Sequence, residues 1–116
     1  MALPSPIPDA LAELIAERLR AIGEPTRIRI LDRLRGGEQT VQELTEALGT
    51  SQQNISKHLG VLHGVGILSR ARAGSHVRYA IADPTVLDLC ESVCGGVQRQ
   101  LAELAALVGE IEGSAR

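Results

Sequence analysis

Aromatic side chains are all but missing: among 116 residues there is no Phe and no Trp, and Tyr79 stands alone. Their absence argues against single-stranded nucleic acid as a partner, because such strands are usually held on stacking platforms. It also leaves the core to Leu, Ile, Val and Ala, which suits helices packed on helices. Cysteine is almost as scarce. Cys90 and Cys94 are the only two, too few for a disulfide framework. No apolar run approaches the roughly 18 residues of a membrane-spanning helix. The N-terminal "MALPSPIPDALAE" lacks the basic-then-apolar order of a secretory signal. The chain is therefore expected in the cytoplasm, with reduced thiols and no membrane partner. There is also no glycine loop of phosphate-binding form and no Ser/His/Asp set within a pocket motif, so the reading is not an enzyme.

Acidic residues are missing from one segment only. Residues 1–49 carry eight acids and six bases, and residues 83–116 carry six acids and two bases. Residues 50–82 carry no acid, but hold Lys57, Arg70, Arg72, Arg78 and all three histidines, His58, His63 and His76. A basic block inside a chain of net charge −2 marks one face built to meet negative charge.

Hydrophobic periodicity gives the elements. Pro4, Pro6 and Pro8 favour an extended arm over residues 1–8. Leu11, Leu14, Ile15, Leu19 and Ile22 then form one helical stripe, with Asp9 as cap and Gly23 as stop. A second helix starts at "EPTRIRIL" with Pro25 in its first turn and Ile28, Leu31 and Leu34 apolar, ending at Gly36-Gly37. Thr40 and Glu43 have the form of a capping box for a short helix stopped at Gly49. Ser51 caps the next helix, which carries Ile55, Leu59 and Leu62. Two short helices joined by a glycine-containing turn make a helix-turn-helix. Val77, Tyr79 and Ile81 alternate with His76, Arg78 and Ala80, and Ala73-Gly74-Ser75 can turn the chain. This predicts a β-hairpin whose outer face carries the arginines. Asp83 and Pro84 open a last helix to about residue 112, with Val86, Cys90, Val93, Val97, Leu101, Leu104, Val108 and Ile111 spaced as in a helix-helix seam. Gly95-Gly96 interrupts it, so either the helix bends there or another backbone approaches. The expected organisation is an arm (1–8), one domain (9–112) and a tail (113–116).

The fold class that follows is mainly α with a small β-hairpin: a winged helix-turn-helix. In such a unit the second helix of the pair enters the major groove of double-stranded DNA and the wing touches backbone or minor groove. Candidate DNA-binding residues are Ser51, Gln52, Gln53, Asn54, Ser56, Lys57 and His58 on that helix, and Arg70, Arg72 and Arg78 on the wing. Gln and Asn amides can pair with adenine in bidentate fashion and Ser serves several base edges. Lys57 and His58 suit phosphate, and the arginines supply salt-sensitive, sequence-independent attraction. A protein-interaction winged helix that binds no DNA is the reading from another class.

"EPTRIRIL" (24–31), "SQQNISKHLGVLHGVGIL" (51–68) and "GSHVRYAI" (74–81) together resemble the ArsR family of bacterial winged-helix repressors, over roughly residues 10 to 90. The resemblance implies a homodimer through the first and last helices, a palindromic operator, and release by a metal, metalloid or oxidant. It also names ligand stations, and most are missing here. The arsenic and cadmium station needs Glu-Leu-Cys-x-Cys, where this chain has Glu43-Leu44-Thr45-Glu46-Ala47. At the positions of the zinc station stand Asp83, Thr85, Gly96 and Arg99, of which only the Asp matches. The persulfide branch pairs a second-helix Cys with one on the last helix, and the second helix has Asp32 and no Cys.

Cys90 and Cys94 remain as the candidate metal ligands. Side chains four apart share one helix face, with Cβ atoms about 5–6 Å apart. That is too far for an unstrained disulfide, but within reach of a soft ion bridging two thiolates. As(III), Sb(III), Cd(II) or Hg(II) are the candidate inducers, none needed for folding. Trigonal As(III) or Sb(III) would need a third thiolate from the partner subunit, whereas linear Hg(II) needs two. Two alternatives stay open at this point: both cysteines as small apolar packing residues, or an intersubunit redox switch.

Overall fold

The computed structural model describes residues 2–114. The chain divides at Asp83/Pro84 into two compact units. The first holds α1 (Asp9–Ile22), α2 (Pro25–Leu34), β1 (Gln39–Thr40), α3 (Val41–Leu48), α4 (Gln52–Gly64), β2 (Leu68–Ala73) and β3 (His76–Ile81). The second is one long helix, α5 (Thr85–Ser114). Residues 113 and 114, expected in the tail, belong to α5; residue 1 of the arm and residues 115–116 of the tail lie outside the described residues.

Local chemistry sets most of the boundaries. Glu24 caps α2, its side chain accepting from the Arg27 amide, and Pro25 takes the first position. There the missing N–H has no helical partner to lose. Thr40 and Glu43 form the expected reciprocal capping box of α3, and Gly49 closes that helix in the left-handed region at φ 65°, where glycine carries no Cβ penalty. Ser51 caps α4 by accepting from the Asn54 amide. The turn between α3 and α4 is therefore Gly49-Thr50-Ser51. α1 departs from expectation. Its N-cap is Pro8, without a side-chain hydrogen bond, and Asp9 is its first residue, where the carboxylate can only meet the helix dipole.

The core of the first unit is aliphatic. Ile30 and Leu31 of α2, Leu44 of α3, Ile55, Leu59 and Leu62 of α4, and Ile67 before β2 are fully buried. Within α2 the buried isoleucine is Ile30, while Ile28 is 46 % exposed. On α1 only Ala21 and Ile22 are buried, and Leu14 and Leu19 stand exposed. The periodic stripe of α1 is real, but this chain does not cover most of it. Tyr79, the lone aromatic, is buried and meets the His63 ring edge-on with centroids 6.5 Å apart.

The sheet has three antiparallel strands in the order β1-β3-β2. The hairpin was expected; β1 was not. It is two residues long, Gln39 opposite Tyr79 and Thr40 opposite Arg78, and it ties the start of α3 to the base of the wing. In α5 the glycine pair leaves the helix unbroken. A Cβ at Gly95 or Gly96 would meet only the Arg99 guanidinium, at 3.7 and 3.8 Å. No helix among the described residues is long and apolar enough to cross a membrane.

Candidate nucleic-acid interface

α4 has two faces set by its 3.6-residue period. Ile55, His58, Leu59 and Leu62 point inward and are buried, while Gln52, Gln53, Ser56 and Lys57 are exposed together on the first turns. Ser51 and Asn54 flank them with part of their capacity already used. The Ser51 hydroxyl accepts from the Asn54 amide at 3.1 Å, and Asn54 Nδ2 donates to Thr50 Oγ1 at 3.1 Å. These bonds fix the helix start, and the amide oxygen of Asn54 stays available as an acceptor.

His58 corrects the sequence reading. Expected at phosphate, it is 6 % exposed on the inward face. Its Nδ1 lies 3.0 Å from Arg27 Nη1 and 3.7 Å from Glu24 Oε2. A side chain one position after exposed Lys57 has turned about 100° around the helix, enough to carry it from solvent to core.

The wing also differs from expectation. Antiparallel pairing sets Arg70 opposite Tyr79, Ala71 opposite Arg78 and Arg72 opposite Val77. Directly opposed residues share a sheet face, so Arg70 and Arg72 lie on the face of Tyr79 and Val77, and Arg78 lies on the other. The arginines do not form one outer face. Arg70 and Arg72 are nevertheless exposed, because β2 is buried only at Leu68. Gly74, at φ 66°, turns the tip. Arg78 sits at the wing base, half-buried, with Nη1 3.8 Å from Glu43 Oε1 of α3. The acid-free block of the sequence thus meets an acid in space, and the uncompensated charge gathers on Lys57, Arg70 and Arg72.

Sequence reasoning missed Arg27. Its Nε donates to the Ala21 carbonyl at 2.5 Å, Nη2 donates to the Arg20 carbonyl at 3.3 Å, and Nη1 meets His58. The amides of Gly23 and Glu24 bond the Leu19 and Ile22 carbonyls. All four carbonyls that end α1 without helical partners are therefore satisfied. Glu24, three residues before Arg27 and next to Pro25, was the only local signal of this arrangement.

On α5, Cys90 is half-buried and Cys94 exposed, both free thiols. Burial pushes the Cys90 thiol up from its ordinary value. Among the described residues no group of three or more Cys, His, Asp or Glu side chains is placed to hold a metal ion. Within one chain the donor set is two sulfurs one helical turn apart, which fits a two-coordinate soft ion and not a trigonal or tetrahedral one.

A helix-turn-helix domain family matches residues 22–70. The chain is 38 % identical over 83 residues to the "Probable mercury resistance operon repressor" of Streptomyces lividans, covering 72 % of this chain and 66 % of that one. The chain thus spans slightly less than two thirds of that relative's length. The crystal structure of the AntR antimony-specific transcriptional repressor superposes with a TM-score of 0.73 at 31 % identity, over 84 % of this chain and 88 % of that one. A homodimeric winged helix-turn-helix DNA-binding domain from Mycobacterium bovis, described as a possible ArsR-family transcriptional regulator, superposes with a TM-score of 0.73 at 30 % identity, over 87 % of this chain and 94 % of that one. This chain belongs to the ArsR family. Its fold is the winged helix-turn-helix of that family, whose members named here are transcriptional regulators and not enzymes. In this chain the helix-turn-helix is α3–α4 and the wing is β2–β3.

Proposed function

We propose that this protein is a cytoplasmic, DNA-binding transcriptional repressor that grips a palindromic operator as a homodimer. The observation that carries the reading is the exposed start of α4. Gln52, Gln53, Ser56 and Lys57 stand on one polar surface, with Asn54 beside them and no acid in the segment. Gln52, Gln53 and Asn54 read adenine edges, Ser51 and Ser56 adapt to several base edges, and Lys57 takes phosphate. Arg70 and Arg72 hold the backbone from the wing, and Arg78 adds a weaker contribution because Glu43 shares its charge. The dimer forms through the uncovered apolar stripes of α1 and α5. Leu14 is 63 % exposed on α1 and Leu101 60 % exposed on α5, and such surfaces cost free energy in water unless a second copy covers them.

Release is by a thiophilic ion at Cys90 and Cys94. Two thiols on one helix turn suit Hg(II), which displaces their protons on binding, and the relative from Streptomyces lividans is named for mercury resistance. As(III), Sb(III) or Cd(II) would need further ligands from the partner subunit. One observation favours a second reading, in which Cys90 only packs: burial raises its thiol and so disfavours the thiolate.

Fluorescence anisotropy of labelled DNA from upstream of this protein's own gene tests both levels, under reducing conditions, with and without each ion. The expected result is salt-dependent binding to the palindrome and release by Hg(II) in the parent but not in Cys90→Ser/Cys94→Ser. Binding that no ion disturbs would leave the cysteines as packing residues. An absence of binding at any salt would end the repressor reading.

A further inference from the structure

We infer that Arg27 is a positioning residue for DNA reading: its guanidinium sets the rotation of α4 about its own axis and ties it to the end of α1. The inference rests on the reading of α4 as the DNA-contacting helix. Among the described residues, Arg27 bonds α1 through the Ala21 and Arg20 carbonyls, and α4 through His58, from its own place in α2. Its backbone amide is held by Glu24 at 2.9 Å, so the base of the side chain is fixed as well as its head.

The physical need for such a bond lies in how α4 is otherwise held. Ile55, Leu59 and Leu62 bury it, and burial of aliphatic surface is non-directional. It fixes depth well and rotation poorly. A hydrogen bond weakens steeply away from its preferred angle, and His58 lies about 160° around the same turn from Ser56 and about 100° from Lys57. Rotating α4 enough to swing Gln52 and Ser56 off a base edge pulls His58 off Arg27. A guanidinium only donates, so Nδ1 of His58 accepts and the ring proton stands on Nε2. The same guanidinium occupies the otherwise unpaired carbonyls of α1, so a shift of α1 is felt by α4 through one side chain.

The test uses the full chain and the variants Arg27→Met, His58→Leu and His58→Gln. In the free protein, nitrogen NMR of the His58 ring at about pH 8 reads the pairing. The parent gives the Nε2–H tautomer, Arg27→Met gives a mixture, and amide exchange along α4 quickens in Arg27→Met. On operator DNA, Arg27→Met and His58→Leu weaken binding by about tenfold or more, the scale of one lost charge-assisted hydrogen bond. Affinity for unrelated DNA and the slope of log affinity against log salt stay at parent values. His58→Gln, whose side-chain oxygen accepts from the same guanidinium, recovers most of the operator affinity.

Three outcomes overturn the inference. One is a salt slope that drops by about 0.9 in Arg27→Met with operator and unrelated DNA weakened alike, which makes Arg27 a phosphate contact. Another is a tautomer mixture already present in the parent. The third is parent-like amide exchange in Arg27→Met. If the parent binds no DNA at any salt, the repressor reading fails, and the ring spectrum and amide exchange still decide whether Arg27 holds α4.

Discussion

The Glu24 carboxylate stands at the start of α2, where it accepts the Arg27 amide and lies 3.7 Å from the His58 ring. The hydrogen bond from the Arg27 amide is the largest cause holding its carboxyl below the ordinary value of 4.5, against a smaller desolvation that raises it. A carboxyl lowered on folding stabilises the native state fully above its unfolded value, and that contribution disappears as pH falls through the lowered folded value. The window is therefore acid, below about 4.5. Glu24→Gln should leave a capping acceptor but remove the titration. Urea midpoints measured from neutral to strongly acid pH are expected to converge for parent and variant at the acid end and to separate, parent higher, above it. Parallel curves at all pH values would remove the ionised Glu24 from the account. Part of this was legible at the residue scale: an acid before Pro25 is a recognisable cap. Its link to His58 was not, because Arg27 and His58, which meet beside it, are 31 residues apart, and no local spacing encodes their contact.

At the scale of elements, signals that close within one turn were readable and those closed by pairing were not. Thr40 with Glu43, Gly49 and Ser51 specify the ends of α3 and α4 through bonds three or four residues long, and the structure makes those bonds. β1 has two residues and no alternation of its own; only Arg78 and Tyr79, far along the chain, define it. The arginine faces of the wing were misread because β3 alone was phased. β2 carries its own phase: Leu68 is buried, and Arg70 and Arg72 follow at two-residue intervals on the same face.

The placement has a measurable consequence. Arg70→Ala and Arg72→Ala should each reduce the slope of log affinity against log salt by about 0.9, with affinity lowered alike on operator and unrelated DNA. Arg78→Ala should change the slope by less, because Glu43 already neutralises part of its charge. Salt titrations of the three variants followed by anisotropy check the order; equal slopes for all three would mean that Arg78 turns outward to phosphate when DNA binds.

At the scale of the whole molecule, the apolar side chains that the first unit leaves uncovered are matched by a longer uncovered stripe on α5. Val93, Val97, Leu101, Leu104, Val108 and Ile111 are all about half exposed or more, at intervals of three or four residues. Within this 30-residue helix the stripe runs about 27 Å, and exposed apolar side chains over such a length are more than a monomer's surface normally leaves in one patch. The periodicity of the last helix was legible in the sequence for the same reason, since a seam between helices repeats regularly whether its partner belongs to the same chain or to a second copy. Leu101→Glu/Val108→Glu places two charges in that seam without touching the α4 surface or the cysteines. Sedimentation at micromolar concentration should then show monomers in place of dimers. The palindrome should lose about a hundredfold or more in affinity, because its second half-site is no longer presented at high effective concentration. Binding to an isolated half-site should remain at the parent's weak level, since each reading head is still folded. A variant that sediments as a dimer would move the interface off α5, and a monomer that binds the palindrome as tightly as the parent would mean that one reading head suffices.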